Sequence, residues 1–95
     1  MSAYFIANIR IHDETEYKKY LKDLDEVFAK FNGEYLSWDD HPEVLEGKWD
    51  YSRAVLIRFP NKEDLKRWYD SEDYRRILRY RLNAAECDTI IVQGK

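Results

Sequence analysis

The sequence predicts a small α+β domain of strand–helix–strand–strand–helix–strand order, with one four-stranded antiparallel sheet and both helices on one face. Three observations predict it. Residues 4–11 and 53–59 alternate in polarity with the two-residue period of a strand. Residues 14–31 and 62–85 place apolar side chains three and four apart, the spacing of a helix stripe. At 95 residues the chain is long enough for a single core, so these elements form one domain spanning 1–95.

The first strand runs from Tyr4 to Ile11. Phe5, Ala7, Ile9 and Ile11 share an apolar face suited to lie under helices, and Tyr4, Ile6, Asn8 and Arg10 share a mixed one. Asp13 caps the first helix, with Glu16 three residues on. Tyr17, Tyr20, Leu21, Leu24, Phe28 and Phe31 form its stripe, and Asn32-Gly33 ends it, glycine taking the left-handed turn. A short second strand covers Glu34 to Trp38 and is interrupted by Asp39, Asp40, His41 and Pro42. Glu43 to Glu46 resumes it as an edge extension before a turn at Gly47.

The third strand, Arg53 to Phe59, alternates Val55, Ile57 and Phe59 with Ala54, Leu56 and Arg58. Pro60 stops it, and Asn61 caps a long second helix, broken near Ser71. Leu65, Trp68, Tyr69, Tyr74, Ile77, Leu78, Leu82 and Ala85 make the buried side of that helix, and Arg75, Arg76, Arg79 and Arg81 a solvated one. Asp88 to Gln93 is the last strand.

Helices on one face leave the other bare. That bare face carries Tyr4, Ile6, Ala54, Leu56, Ile90 and Val92 beside Asn8, Arg10 and Arg58. An apolar patch of this kind rarely faces water on a monomer, so a homodimer packed through the uncovered sheet face is expected.

Composition narrows the partners. The chain is 44% hydrophobic and 37% charged, with a net charge of −3 and no basic face for nucleic acid. It has no apolar run of membrane-spanning length and no signal-peptide pattern at its first residues, so a cytoplasmic location is expected. The single cysteine, Cys87, has no intrachain partner, and with Glu86 and Asp88 beside it reads as a small packing residue. Aromatic residues make up 16% of the chain, including eight tyrosines, whose apolar rings and polar tips suit interfaces and clefts.

Several segments together resemble the small family catalogued as domain of unknown function 1330. They are Glu43-Val44-Leu45-Glu46-Gly47-Lys48-Trp49 followed by Arg53, the Phe59-Pro60 stop, Trp68-Tyr69 with Ser71 and Tyr74, and the opening Tyr4-Phe5-Ile6-Ala7. The resemblance covers nearly the whole chain. It implies a ferredoxin-like βαββαβ fold and the dimeric α+β barrel superfamily, whose members include cofactor-free monooxygenases, muconolactone isomerases and haem-handling enzymes. The closer family lends a fold and no settled chemistry. This chain departs from the family pattern after its second strand, where Trp38-Asp39-Asp40 replaces small residues, commonly a glycine pair. A bulky acidic replacement there reshapes the mouth of a pocket.

The candidate ligand-binding residues are Asn8, Arg10 and Arg58 on neighbouring central strands, together with Trp38, Trp49 and Tyr69. Guanidinium groups suit planar anions such as a carboxylate or enolate, and flat rings suit an aromatic ligand. The same arginines can instead pair with acids across a dimer. His12 and His41 are the only histidines and the candidates for proton transfer. His41 stands beside Asp39, Asp40 and Glu43, but no spaced ligand motif supports a metal, and an acidic surface loop explains the cluster. Neither histidine has the apolar surroundings of a haem ligand, and there is no glycine-rich phosphate loop or serine elbow, so no cofactor is expected.

Two functions of different classes fit these residues. One is a cofactor-independent enzyme, oxygenase- or isomerase-like, acting on a small hydrophobic or aromatic acid. The other is a non-catalytic dimer that binds a small molecule or a partner.

Overall fold

The computed structural model describes residues 1–95. Its elements follow the expected order: β1 (Ala3–Ile11), α1 (Glu14–Ala29), β2 (Glu34–Asp39), β3 (Arg53–Phe59), α2 (Lys62–Asp70), α3 (Glu72–Ala84) and β4 (Ala85–Gln93). The strands form one antiparallel sheet in the order β2-β3-β1-β4.

Each helix starts where a short polar side chain can satisfy an orphan backbone N–H. Asp13 Oδ1 accepts from Glu16 N at 3.0 Å, and Asn61 Oδ1 accepts from Asp64 N at 2.7 Å. Ser71 both closes α2 and opens α3. Its hydroxyl donates to the Trp68 carbonyl at 2.8 Å and accepts from Tyr74 N at 3.1 Å. Its extended backbone breaks the helix between the two. Each such cap stabilises its helix by about 1 kcal/mol.

The period-two pattern of β1 and β3 is reproduced in their burial. Phe5, Ala7, Ile9, Val55, Ile57 and Phe59 are buried under the helices, and their sequence neighbours are half-buried on the opposite face. Trp68 is fully buried against the sheet, its ring 5.1 Å from Phe5, 5.3 Å from Phe59 and 4.2 Å from Tyr74. Helices α1 and α3 meet through Tyr20 and Tyr74, whose hydroxyls are 2.8 Å apart.

Five local expectations are corrected. β4 begins at Ala85, three residues before Asp88, because Ala85, Glu86 and Cys87 pair with Ile11, Arg10 and Ile9. Leu82 is 64% exposed, and Arg81 takes the buried position in its place. Arg81 is only 3% exposed, so it does not belong to the solvated arginine face. Asn32, not Gly33, adopts the left-handed conformation, at φ 66°. Gly33 is instead required by space, since a Cβ there would meet Phe28 and Phe59 at 2.9 Å. Residues 43–46 form no strand. They belong to an irregular loop over residues 40–52, in which Leu45 is 87% exposed. Pro42 and the acidic residues before it turn the chain away from the sheet edge.

The two sheet edges differ. β2 is short, shifts register between Tyr35 and Ser37, and runs out into Asp40, His41 and Pro42. β4 pairs with β1 without interruption over all nine of its residues and presents Ile90, Ile91 and Val92 partly exposed.

Candidate functional site

Sheet register decides which candidates can act together. Across the uncovered face, Arg58 stands opposite Tyr4, whereas Asn8 stands opposite Ala54 and Asp88, and Arg10 opposite Glu86. Tyr4 and Arg10 are separated by about 20 Å at the usual strand rise. Arg58 therefore does not join Asn8 and Arg10. It forms an ion pair with Glu34 of β2 instead.

Asn8 and Arg10 do form a cluster, and the loop over residues 40–52 completes it. Trp49 Nε1 donates to Asn8 Oδ1 at 3.2 Å. Tyr51 donates its hydroxyl proton to Asp88 Oδ2 at 2.7 Å, and this bond raises the phenol's pKa above its ordinary value. Arg10 donates to Asp50 at 2.9 Å, lies 3.8 Å from Glu86, and covers the Tyr51 ring at 4.3 Å. The uncovered face is thus divided. Its Asn8–Arg10 half is partly roofed by the chain's own Trp49 and Tyr51. Its other half, with Tyr4, Ile6, Leu56, Ile90 and Val92, stays bare.

Both ends of the same loop border a second feature. A cleft of about 420 Å³ lies between the start of α1 and the loop, lined by Ile11, Glu14, Asp40, His41, Tyr51, Ser52 and Arg53. Arg53 extends the buried alternation of β3 by one step, so its side chain enters the helix-covered layer. It is 7% exposed. Its guanidinium lies 4.0 Å from the Trp38 ring and 5.4 Å from the Tyr17 ring. Nε donates to Asp40 Oδ1 at 2.6 Å, while the buried Nη1 has no partner.

Electrostatics follow from this packing. The hydrogen bond from Arg53 holds the Asp40 carboxyl below the usual carboxylate range, and Trp38 Nε1 adds a second donor at 3.2 Å. Burial pushes the Tyr17 phenol up to about 12, against the opposing pull of Arg53. Arg53 thus joins two properties: its residue lines the cleft, and its guanidinium, a group suited to carboxylate or enolate oxygens, keeps one buried N–H group unpartnered. The Trp38 and Tyr17 rings add cation–π attraction to the guanidinium.

Trp38 belongs to β2, as expected, and packs on Arg53 and on Tyr35. His41 lines the Arg53 cleft, and its backbone N–H donates to Asp39 Oδ1 at 2.8 Å. His12 is exposed and is held only through its backbone, which donates to the Ala84 carbonyl at 2.9 Å. Tyr69 lines a separate cleft of about 420 Å³ between α2 and β4, with Phe5, Leu65 and Ile91. No three His, Cys, Asp or Glu side chains come together in a metal-holding group. No helix is long and apolar enough to cross a membrane.

Sequence reading missed Arg53, Tyr51 and Arg81. Arg53 stands in phase with Val55, Ile57 and Phe59, so a charge on that apolar face was the signal for it. Arg81 falls four residues after Ile77 and three after Leu78, in phase with the α3 stripe. Its Nε and Nη1 are buried without partners, beneath Tyr20. Tyr51 lies in an irregular segment, where periodicity carries no information. Cys87 packs against the core as expected; burial is the main reason its thiol pKa is raised.

A model of the family described as Domain of unknown function (DUF1330) matches residues 2–95. No curated protein matches the chain. Among solved structures, the chain is similar to RPA0582 of Rhodopseudomonas palustris, a protein of unknown function, with TM-score 0.82 and 16% identity over 99% of this chain and 82% of that one. It is similar to a dimeric ferredoxin-like protein of unknown function from Jannaschia sp. CCS1, with TM-score 0.77 and 12% identity over 99% of this chain and 100% of that one. It is also similar to SnoaB, a cofactor-independent oxygenase from Streptomyces nogalater, with TM-score 0.73 and 9% identity over 99% of this chain and 93% of that one. At these identities the likenesses show a common ferredoxin-like fold.

Proposed function

Because this chain belongs to the DUF1330 family, whose description assigns no activity, we propose a function from its own geometry: a homodimer that binds a small aromatic or hydrophobic acid, one per protomer, with the acid's carboxylate on Arg53. The observation that carries this reading is the buried Arg53 guanidinium, with Nη1 unpartnered, at the wall of the cleft shared with His41 and Tyr51. A buried cation with an unused donor costs stability unless a ligand or water meets it. Trp38 at 4.0 Å shields the group from water and strengthens its hold on an anion.

The dimer forms through the whole uncovered sheet face, with its bare half at the centre of the contact. Ile90 and Val92 are 57% and 40% exposed there, beside Ile6 and Leu56. A second copy packed face to face removes this surface from water. The Jannaschia protein of the same fold is described as dimeric.

Titration calorimetry with benzoate tests the ligand reading. Binding by the parent protein that is lost in Arg53→Met supports it; equal binding by both overturns it. Sedimentation tests the assembly, and a parent protein that sediments as a monomer at all concentrations removes the dimer.

A catalytic reading is favoured by one further observation: His41 and Tyr51 share the Arg53 cleft, placing proton-transfer groups beside an anion holder. SnoaB, of like fold, is a cofactor-independent oxygenase. Arg53 would then hold a developing oxyanion while His41 moves the proton. Oxygen uptake or isomerisation of an aromatic acid without added metal or cofactor tests this. Loss of turnover with retained binding in His41→Ala supports it, and no turnover of any such acid by the parent protein leaves the binding function alone.

A further inference from the structure

The loop over residues 40–52 serves two surfaces at once. Asp40, His41 and Tyr51 line the Arg53 cleft. Trp49 and Tyr51 are tied to the uncovered sheet face through Asn8 and Asp88. Tyr51 is common to both, so whatever fixes its ring on the sheet also fixes a wall of the cleft.

In a single protomer that attachment is open to water. The Arg10 and Asp50 side chains are 40% and 79% exposed, and the Tyr51–Asp88 bond is also at the surface. Contacts of this kind hold weakly, since water competes for each partner. Ser52 is better anchored: its N–H donates to the Ile9 carbonyl at 2.6 Å, and its hydroxyl accepts from Ile11 N at 3.0 Å. These bonds fix the root of the loop and leave Tyr51 to its exposed contacts. Near the apex, Val44 and Leu45 are 48% and 87% exposed, and Gly47 turns at φ +82° with no atom of the chain within reach of an added Cβ. The loop thus carries an apolar tip that its own protomer does not cover.

We propose that the Arg53 cleft is completed by the second copy, which covers the Asn8–Trp49 and Asp88–Tyr51 contacts and holds the loop in its ligand-binding form. The inference rests on the dimer and ligand readings above. Excluding water from these bonds strengthens them, because the same charges then interact in a lower dielectric. Tyr51 passes the effect to the cleft. By linkage, dimerisation raises affinity for an anionic ligand by the factor by which that ligand tightens the dimer.

The test compares parent protein, Ile90→Arg and Tyr51→Phe, with benzoate as the probe. Ile90 is exposed in the protomer, so Ile90→Arg is expected to be a folded monomer by circular dichroism and sedimentation. It should bind benzoate about fivefold or more weakly than the parent dimer. Amide exchange over residues 40–52 should be faster in it, and also in parent protein diluted below its dimer dissociation constant. Tyr51→Phe should remain dimeric, but benzoate should no longer tighten the dimer. A monomer that binds benzoate as tightly as the dimer, with unchanged loop exchange, overturns the inference and leaves the binding function standing. A parent protein that is monomeric, an Ile90→Arg variant that stays dimeric, or a parent dimer that ignores benzoate overturns the underlying reading, and the inference with it.

Discussion

The hydroxyls of Tyr20 and Tyr74 form a hydrogen bond of 2.8 Å inside the protein, one from α1 and the other from α3. Both residues are buried, so neither hydroxyl has water as an alternative. Tyr20→Phe or Tyr74→Phe removes one partner and strands the other, at an expected cost of about 1–3 kcal/mol. Replacing both removes the stranded group as well. Urea unfolding of the two single variants and the double variant should therefore give a double loss smaller than the sum. Additive losses would mean that the bond contributes nothing to joining the helices.

Alkaline pH should unfold this protein from within. Burial raises the phenol pKa of Tyr17 to about 12 and also raises those of Tyr20, Tyr35 and Tyr74. The folded values lie above the unfolded value, near 10. The stabilisation is therefore full below about pH 10 and is lost as pH rises toward the folded values. Each such phenol removes up to about 1.4 kcal/mol per pH unit in that window. Absorbance titration at the tyrosinate band should show four of the eight tyrosines ionising only together with loss of the circular dichroism signal. Ionisation of all eight before unfolding would contradict this.

Acid acts on the Arg53 site through Asp40. The folded carboxyl lies below its unfolded value because Arg53 donates to it at 2.6 Å. Its contribution is present above about pH 4 and is lost as pH falls through the depressed value. Asp40→Asn should thus be less stable than the parent protein near neutral pH, and the gap should close in acid. Urea midpoints measured at both pH values decide it. A gap that stays constant would assign the loss to packing and not to charge.

Gly33→Ala should destabilise the protein although Gly33 has an ordinary backbone. The added Cβ meets the Phe28 and Phe59 rings at 2.9 Å, and Phe59 is fully buried. Overpacking of this kind costs about 1–3 kcal/mol. Trimming Phe28 to leucine in the same chain should recover part of the loss, read as a shift in thermal midpoint.

Elements with a strong period were legible in the sequence. Eight residues of β1 alternate without a break, Asp13 and Asn61 cap the helices assigned to them, and the expected break falls at Ser71. Legibility failed where long-range pairing overrode local pattern. Ala85 fits the helix stripe, and Glu86 and Cys87 have no strand pattern of their own, but β1 draws all three into β4. Asn8, Arg10 and Arg58 share a face, and a shared face says nothing of distance along it; only register shows Arg58 at the far end. Arg53 was hidden for a different reason. It opens the third strand and was assigned to neither face, whereas Trp38, Tyr17 and Asp40 make a place for it in the interior. Tyr51 and Trp49 sit in a loop with no period, so their partners on the sheet were beyond any pattern.

The unequal rims of the sheet set a limit on uncontrolled growth. A flat ribbon of strands polymerises into a fibre only if each molecule offers two adhesive borders, one for the neighbour before it and one for the neighbour after. Here β4 offers such a border, while the register shift in β2 and the acidic, proline-ended exit beyond it spoil the other. Stray strand addition at β4 therefore terminates with the first molecule that joins, because that molecule brings no second adhesive border with it.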